Sequence, residues 1–403
     1  MKKVVIVGGG YSGLYALREV IKNKNLKITL IDKHTYHNLQ PEVYDFIANK
    51  STFADITIDL NTLSHGFEHD YFEFKNLKVR NIEKEKKEIY TEEGEIVKYD
   101  YLILAAGTRT FFPNQIEGLS KASDIKKIFR AMDFKQKFEK ELFFKVQNEM
   151  KECKKTNIVV VGAGLSGVEI AAEMADKSRN FFKRGGFSCN KLDITLVSSS
   201  TTILPGLEPK LVSICHKRLK KLGVNILTNV KLEKMDQEYA YLTNGTKLLQ
   251  SFLIFTGGVE AVKIKGIEDL EVNHKGQVIV KKTLQTKKYE EIFVIGDLAE
   301  IKDEKEEIFP SNVTLTKISG KIAGENVLKL IEGKELSECK PKLEGILIAL
   351  GGKYAAGNLY GIINIKGRLA YEIKKYVFTS YKKPLLKVLN KGFNKFKKII
   401  TSF

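Results

Sequence analysis

The feature that most constrains this chain is a unit of strand, glycine-rich turn and helix that occurs twice. The first copy begins with the β-branched run Val4–Val7, which is typical of a buried parallel strand. It continues directly into Gly8-Gly9-Gly10-Tyr11-Ser12-Gly13, and Leu14–Ile21 then predicts a helix. A strand, this glycine spacing and a helix in register predict a dinucleotide-binding fold.

The glycines of the first unit stand where a bound diphosphate requires them. We expect Gly8 to form the tight turn, Gly10 to let the backbone approach the pyrophosphate, and Gly13 to let the helix pack on the strand. The diphosphate then meets the free N–H groups at the helix N-terminus, where Tyr11 and Ser12 lie. All five residues are therefore candidate cofactor-binding residues.

An acidic residue follows the second strand of this unit. Lys27–Ile31 predicts that strand, and Asp32 and Lys33 come directly after it. In dinucleotide folds a carboxylate at this place accepts hydrogen bonds from the ribose of the adenosine. Asp32, with Lys33 beside it, therefore completes the first candidate cofactor site.

The second copy of the unit leaves its ligand open. Asn157–Val161 predicts a strand, and Gly162-Ala163-Gly164-Leu165-Ser166-Gly167 repeats the glycine motif. After the next predicted strand, Asp193–Val197, Ser198 stands where an acidic residue would bind the ribose. Serine still bonds a hydroxyl group but lacks the charge, and no arginine follows at once to select the extra phosphate of NADPH. The chain therefore binds two dinucleotides, or it binds one and the second site has decayed.

Three further apolar strands end in small-residue turns that suit a cofactor. These strands are Tyr101–Ala105, Phe252–Phe255 and Ile292–Ile295. Their turns add five candidate cofactor-binding residues, namely Gly107, Thr108, Gly258, Asp297 and Ala299. A strand that ends in glycine and aspartate places the Asp297 carboxylate at a sheet edge, where it can accept from the ribityl hydroxyls of a flavin.

Charge, cysteine content and hydropathy exclude several classes of function. The formal net charge is +18, but no nucleic-acid recognition motif accompanies it, so we expect no nucleic-acid partner. The four cysteines are scattered and the histidines lack ligand-like spacing, so we expect neither a disulfide framework nor a metal site. No apolar run approaches the length of a membrane-spanning helix, and the first strand begins at Val4. We therefore expect no signal peptide, and at most a peripheral contact with a membrane.

The basic excess is concentrated at the C-terminal end. After Pro384, apolar residues recur at helical spacing and lysines occupy the opposite side. The apolar face consists of Leu385, Leu389, Phe393, Phe396, Ile400 and Phe403, and the basic side of Lys383, Lys387, Lys391, Lys395 and Lys398. This pattern predicts an amphipathic helix on an anionic lipid surface. The alternative is a helix that docks on the protein's own body or on a second subunit.

These motifs together resemble those of the two-dinucleotide-domain flavoproteins, the superfamily with the fold of glutathione reductase. Within it, the chain is most similar to the type II NADH dehydrogenases, and the more specific segments are Tyr36–Tyr44, Ala349–Gly357 and Gly367–Tyr371. The resemblance implies an α/β fold with two Rossmann-like dinucleotide-binding domains and a C-terminal amphipathic, membrane-facing region.

The resemblance also implies how the chain divides. The FAD-binding domain is expected at residues 1–112 and again at 283–332, with the NAD(P)H-binding domain, residues 113–282, inserted between its two parts. Residues 333–403 are expected to form the membrane-association region. Members of the family imply a homodimer that lies peripherally on the cytoplasmic face of the membrane.

The implied activity is transfer of a hydride from NADH, with NADPH possible, to FAD and of two electrons onward to a membrane quinone. Glu169 is expected near the nicotinamide and the flavin, where it positions the donor or assists proton supply. Thr314, Lys317 and Ile318 are expected on the quinone side. Thr314 and Ile318 stand where the family carries glutamines, which leaves the geometry of quinone binding open.

A different donor or acceptor is the main alternative. Disulfide reductases of this superfamily carry a Cys-x4-Cys pair after the first unit, but residues 33–60 contain no cysteine. Sulfide:quinone reductases use cysteines beside the flavin. Cys153 precedes the second motif and Cys339 lies in a polar stretch, and Cys339 stays open as a persulfide carrier. The last alternative is a flavoprotein whose nicotinamide site has decayed.

Overall fold

Two parallel sheets, each built around one glycine motif, organise the residues that the computed structural model describes, which are 1–147, 156–185 and 192–400. The first part of the chain contains the strands β1 (Lys2–Val7), β2 (Leu26–Asp32), β3 (Tyr36–Asn38), β4 (Thr57–Asp59), β5 (Phe72–Asn76), β6 (Val79–Glu83), β7 (Glu88–Thr91), β8 (Ile96–Lys98), β9 (Tyr101–Leu104) and β10 (Thr108–Thr110). Its helices are α1 (Tyr11–Val20), α2 (Val43–Ile47) and α3 (Leu60–Gly66), with short 3₁₀ turns at Gln40–Glu42 and Leu119–Lys121.

The middle of the chain contains α4 (Ile128–Gln147), β11 (Thr156–Val161), α5 (Leu165–Gly185), β12 (Leu192–Val197), α6 (Pro209–Lys221), β13 (Val224–Leu227), β14 (Leu232–Met235), β15 (Tyr239–Leu242), β16 (Lys247–Leu249), β17 (Phe252–Phe255), β18 (Val259–Ala261) and β19 (Val278–Ile279). The last part contains β20 (Ile292–Val294), a 3₁₀ turn at Gly296–Leu298, β21 (Ala299–Glu300), α7 (Val313–Ile331), β22 (Gly345–Ala349), β23 (Ala355–Leu359), β24 (Ile363–Gly367) and α8 (Arg368–Ile400).

The first sheet combines strands from both sides of the middle part of the chain. Its order is β20-β9-β1-β2-β5, and every pair is parallel. In the central strand β1, Val4–Ile6 is at most 1% exposed, as expected of a β-branched run that is covered on both faces. α7 packs closely on α1 because glycines line the crossing: a Cβ at Gly320 would overlap the carbonyl oxygen of Ser12.

The second sheet has the order β13-β12-β11-β17 and is also parallel. The antiparallel sheet β22-β23-β24 covers part of this domain, since Ile348 and Leu350 share a buried cluster with Ile158 and Val160 of β11. The predicted two-dinucleotide α/β fold is confirmed. Each strand that the sequence predicted is present, with ends that differ by no more than two residues.

The C-terminal helix differs from the prediction. We expected it to begin after Pro384, but α8 is one helix from Arg368 and contains this proline. It packs on α3 at a glycine crossing, where a Cβ at Gly392 would overlap the carbonyl oxygen of Thr62. The prediction that Leu385 and Leu389 face lipid is wrong: Leu385 is 2% exposed, and Leu389 packs half-buried on the same core.

The remaining members of the predicted lipid face are only partly described. Phe393 is 61% exposed. Phe403 and the side chains of Phe396 and Ile400 lie outside the described residues. Within the described part of the chain, we find no helix that combines the length and the apolar character needed to span a membrane.

Candidate functional site

The first glycine motif has the geometry of a phosphate-binding turn. Gly8 adopts a left-handed φ of +114°, and a Cβ there would overlap the carbonyl oxygen of Ala105 at the end of β9. A Cβ at Gly13 would overlap the carbonyl oxygen of Gly8, so the helix meets the turn without a side chain between them. Gly10 has no atom within 4 Å of a built Cβ, and no side chain caps the N-terminus of α1. The N–H groups of Tyr11 and Ser12 therefore border free space that suits an anion.

Asp32 lies at the end of β2 beside this turn. Its Oδ2 accepts from the N–H of Gly9 at 2.6 Å, and its Oδ1 from the N–H of His34 at 2.8 Å. Burial raises the pKa of the Asp32 carboxyl, and these two N–H groups oppose the rise. Each oxygen keeps acceptor capacity for a ribose hydroxyl. Lys33 is exposed next to it.

The second glycine motif repeats this backbone geometry. Gly162 has a φ of +107°, a Cβ at Gly167 would overlap the carbonyl oxygen of Gly162, and Gly164 borders open space. The end of the next strand is different, because Ser198 is buried and turned inward. Its Oγ donates to the carbonyl oxygen of Thr202 at 2.9 Å, so its donor is already used within the loop.

A two-stranded ribbon joins the two units. β10 pairs with β18 in antiparallel register, directly after the turns at Gly107 and Gly258. The N–H of Val262 donates to the carbonyl oxygen of Gly107 at 3.0 Å, and that of Phe111 to Gly258 at 3.1 Å. Both glycines border open space. The small-residue turns of the two domains are therefore neighbours, and neither carries a side chain that would fill the space beside them.

Asp297 follows β20 in the 3₁₀ turn and lies near the first glycine motif. A Cβ at the preceding Gly296 would meet Ser12 Oγ at 2.6 Å. Asp297 Oδ2 accepts from Thr108 Oγ1 at 3.4 Å, whereas its buried Oδ1 has no partner among the described residues. Burial raises the pKa of Asp297, and the charge of Lys126 opposes this. An orphaned, buried acceptor beside the open turn of Gly10 fits a bound ligand with hydroxyl groups.

These observations fit FAD at the first unit. An uncapped helix N-terminus suits its pyrophosphate, Asp32 suits its adenosine ribose, and Asp297 suits its ribityl chain. Ala299 is buried one turn beyond, and its carbonyl oxygen accepts from Gln277 Nε2 at 3.4 Å. The second unit fits a nicotinamide dinucleotide through Gly162–Gly167, without a carboxylate for the ribose.

The predicted quinone-side residues lie on the first turns of α7. Asn312 caps this helix by accepting from the N–H of Leu315 at 2.9 Å. Thr314 and Ile318 are half-buried and one turn apart, whereas Lys317 is exposed. Thr314 and Ile318 therefore share one side of α7, and Lys317 points to solvent.

Glu169 lies buried on α5, within reach of three parts of the chain. It accepts from the N–H of Ala349 at 2.7 Å and forms an ion pair with Lys374 of α8. On the preceding turn of α5, Ser166 Oγ accepts from Tyr44 Oη at 2.7 Å. Burial raises the pKa of Tyr44, and the negative charge of Glu169 adds to this effect. Sequence reasoning named Glu169 but missed Lys374, because no local pattern connects residues so distant in the chain.

A second buried glutamate follows one turn along α5. Glu173 is 1% exposed, accepts from the N–H of Gly351 at 3.3 Å and forms an ion pair with Lys50 of the first domain. Burial raises the pKa of Glu173 to about 7, although Lys50 opposes the rise. Glu173 therefore ties the second domain both to the first domain and to the C-terminal sheet.

An aromatic cluster fixes α8 against the first glycine motif. Tyr381 stacks on Tyr11 with ring centres 4.5 Å apart, and its hydroxyl group lies 2.9 Å from His37 Nε2. Burial lowers the pKa of His37 to about 3, so the imidazole is neutral at physiological pH. His37 therefore positions this region by packing and hydrogen bonding. It lies in the segment Tyr36–Tyr44 that carries the resemblance.

The described cysteines do not suit thiol chemistry. Cys215 and Cys339 are buried, and burial raises the pKa of each thiol to about 12. Reactive cysteines instead have lowered pKa values and accessible sulfur atoms. Cys153 and Cys189 lie outside the described residues.

Comparison with known proteins supports the same dinucleotide-binding fold. The profile of the pyridine nucleotide-disulphide oxidoreductase family matches residues 2–356. The chain belongs to this family. The name of the family refers to disulphide reduction, but residues 33–60 of this chain contain no cysteine and so lack the Cys-x4-Cys pair of the disulfide reductases.

Individual proteins show which branch of the family this chain resembles. The type II NADH:quinone oxidoreductase of Haemophilus influenzae is 27% identical over 391 residues, which cover 89% of this chain and 87% of that protein. The solved structure of NDH2 from Plasmodium falciparum in complex with NADH has a TM-score of 0.84 at 20% identity, and the match covers 98% of both chains. The sulfide:quinone oxidoreductase of Aquifex aeolicus has a TM-score of 0.79 at 21% identity, with 97% and 92% covered. The resemblance to type II NADH dehydrogenases that the motifs predicted is confirmed.

Proposed function

We propose that this protein is a flavin-dependent oxidoreductase that takes a hydride from NADH and passes two electrons to a quinone. The observation that carries the proposal is the pair of glycine motifs with the same backbone geometry, joined by the β10–β18 ribbon. This arrangement suits two dinucleotides that react with each other. The similarity to a type II NADH:quinone oxidoreductase over most of the chain supports NADH as the donor and quinone as the acceptor.

FAD, when bound, supplies the two-electron chemistry, and the residues of the chain bind and orient it. The N–H groups after Gly10 hold the pyrophosphate, Asp32 accepts from the ribose hydroxyls and Asp297 from the ribityl hydroxyls. The turn at Gly164 holds the pyrophosphate of NADH. Cys215 and Cys339 are buried, and burial raises the pKa of both thiols, so neither suits the persulfide chemistry of the sulfide alternative.

Glu169 and Lys374 are the proposed proton donors for the reduced quinone. Glu169 and Lys374 are in direct contact in a buried ion pair, in which the ammonium group carries the proton and the carboxylate holds that group in place. We expect Glu169→Gln to slow reoxidation of the flavin by quinone about a hundredfold while NADH still reduces it at the wild-type rate. Equal slowing of both half-reactions would assign Glu169 to donor positioning instead.

A panel of anaerobic and steady-state assays tests the function as a whole. The purified protein with its flavin is mixed with NADH, NADPH or sulfide, and one soluble quinone serves as the acceptor. We expect NADH to bleach the flavin absorbance and the quinone to restore it. Bleaching by sulfide would support the sulfide alternative, and no bleaching by either nucleotide would support a decayed nicotinamide site.

We also propose that α8 and the β23–β24 turn bind an anionic lipid surface. Large apolar side chains are exposed there, including Ile362 at 82%, Tyr376 at 73% and Phe393 at 61%. The exposed lysines Lys383, Lys387, Lys391 and Lys395 of α8 carry the positive charge that attracts anionic headgroups. Deleting residues 384–403 is a poor test, because it removes Leu385 and Gly392 from the contact with α3.

Point variants test the lipid contact without disturbing that packing. Ile362→Glu combined with Tyr376→Glu is expected to lower co-sedimentation with phosphatidylglycerol vesicles at least about tenfold. Ile96→Glu is the matched control, since Ile96 is 50% exposed on β8. If the double variant sediments like wild type but dissociates a dimer in ultracentrifugation, the surface binds a second copy of the chain and not lipid.

A further inference from the structure

Lys126 is a half-buried lysine whose backbone lies beside β17 of the second sheet. The N–H of Ser123 donates to the carbonyl oxygen of Leu253 in β17 at 2.8 Å. Asp124 Oδ1 then accepts from the N–H of Lys126 at 3.0 Å and from Thr110 Oγ1 at 2.7 Å. The start of the Lys126 side chain is therefore held firmly at the edge of the second sheet.

The Lys126 side chain crosses to the candidate FAD site. Its Nζ donates to Thr108 Oγ1, and Thr108 Oγ1 donates in turn to Asp297 Oδ2 at 3.4 Å. Burial lowers the pKa of Lys126, and the charges of Asp297 and Asp124 oppose this. Among the described residues, we find no carboxylate oxygen within ion-pair distance of its ammonium group. A hydroxyl group is thus its direct side-chain partner.

A purely structural role does not account for this arrangement. An ammonium group that is largely removed from water is unfavourable unless a counterion and hydrogen bonds compensate it. A structural pair with Asp297 would close to direct contact, but Thr108 separates the two groups. Asp297 Oδ1 has no described partner, and the ammonium has three donors of which Thr108 uses one. Both groups therefore keep unused hydrogen-bonding capacity on either side of Thr108.

We propose that Lys126 is an FAD-binding residue that the nicotinamide domain supplies, and that its positive charge raises the reduction potential of the flavin. The inference rests on the proposed function for the identity of the cofactor. A hydride from NADH delivers two electrons and one proton to FAD, leaves NAD⁺, and adds one negative charge to the flavin. A fixed cation at the site favours that charge and thereby favours the reduced form.

The test compares reduction potentials of the flavin-loaded protein, measured against reference dyes without NADH or quinone. Lys126→Met is expected to shift the ratio of reduced to oxidised flavin at least tenfold toward the oxidised form, which for a two-electron couple is about 30 mV. Lys126→Gln keeps a donor for Thr108 but loses the charge, and we expect the same shift. Lys126→Arg keeps the charge and is expected to stay within about threefold of wild type. Lys127→Met, at the exposed neighbour, is the matched control.

Binding of FAD is the second measurement. We expect the Met and Gln variants to release FAD more readily on dilution, with wild-type thermal stability of the rest of the protein. If both variants retain FAD and its potential unchanged, Lys126 is structural and the proposal is wrong. Because neither measurement involves a donor or an acceptor, failure of the NADH and quinone assays would not alter the outcome here.

Discussion

The two glycine units share one backbone geometry but differ in what the helix and the next strand provide. Gly8 and Gly162 have almost the same left-handed φ, +114° and +107°. In the first unit, the next strand ends in Asp32, which accepts from the N–H of Gly9 at 2.6 Å. In the second, it ends in the buried, inward-turned Ser198.

The helices differ as well. Two residues after the last glycine of the motif, α1 carries Tyr15 and α5 carries Glu169. Six residues after it, both helices carry a glutamate. Glu19 pairs with Lys22 in the turn directly after its helix, whereas Glu173 is buried and pairs with Lys50, far away in the chain. The glycine motif thus forms a turn that suits a diphosphate, whereas residues outside the motif determine the rest. The end of the next strand, Asp32 or Ser198, determines the acceptor for a ribose, and Glu173 forms the contact with Lys50.

The largest expected effect comes from filling the contact between helix and turn. Gly13→Ala and Gly167→Ala each force a methyl group against a backbone carbonyl oxygen, which cannot rotate away. We expect each to destabilise its own domain by about 3 kcal/mol in urea unfolding. Gly10→Ala and Gly164→Ala border open space and are expected to stay within about 1 kcal/mol of wild type. Equal stability of all four variants would show that this contact does not hold the helices.

The next effect separates the two ligands. A Cβ at Gly10 or Gly164 meets no protein atom, so we expect Gly10→Val and Gly164→Val to keep the packing of the protein and to crowd the pyrophosphate of their own dinucleotides. We expect Gly10→Val to weaken FAD binding about a hundredfold. Gly164→Val is expected to stay yellow but to need about a hundredfold more NADH for anaerobic bleaching. If Gly164→Val is bleached like wild type, the second motif does not bind the donor.

The difference between Asp32 and Ser198 predicts a smaller effect. Asp32→Asn removes a charged acceptor and is expected to weaken FAD binding about tenfold in equilibrium titrations. The second unit lacks such a carboxylate, so we expect kcat/KM for NADH and NADPH to differ by no more than about tenfold. A preference well beyond this range would reveal another group that selects the ribose.

The last expected effect is a dependence of stability on pH. The pKa of Glu173 is about 7 in the folded protein, above its ordinary value of 4.5, so the folded state binds more protons between these values. The stability that this group contributes is present below about pH 4.5 and is lost as the pH rises toward 7. The melting temperature of Glu173→Gln is therefore expected to rise relative to that of the wild type as the pH increases from 5 to 7. Glu19→Gln is the control, and we expect no such gain for it. A gain in both variants would show that the effect comes from the change in net charge.

The central strands of the two parallel sheets could be predicted from local sequence patterns. Val4–Val7 and Asn157–Val161 lead into glycines that only a tight turn explains, so strand, turn and helix follow from neighbouring residues. The start of α8 could not be predicted in this way. Pro384 normally marks a helix end, but contacts of the preceding turns with the rest of the protein keep the helix continuous through it.

The site was predictable only where a motif marks it. Asp32 and Asp297 follow strands and glycines in a known order. Lys126 lies in a polar stretch without any motif, and its partner Thr108 lies on β10, 18 residues earlier in the chain. Lys374 meets Glu169 only because α8 returns across the second domain. Such contacts depend on tertiary packing, which single-sequence patterns do not encode.

The place of β20 in the first sheet has a consequence for synthesis on the ribosome. This strand pairs with β9, yet every residue of the second sheet is translated between the two. The strands β11, β12, β13 and β17 can pair as soon as they emerge, whereas the first sheet waits for Ile292–Val294 with its β9 edge unpaired. Of the two parallel sheets, the one that begins the chain is therefore the last to be completed, and a pause in translation before residue 292 prolongs the exposure of that edge.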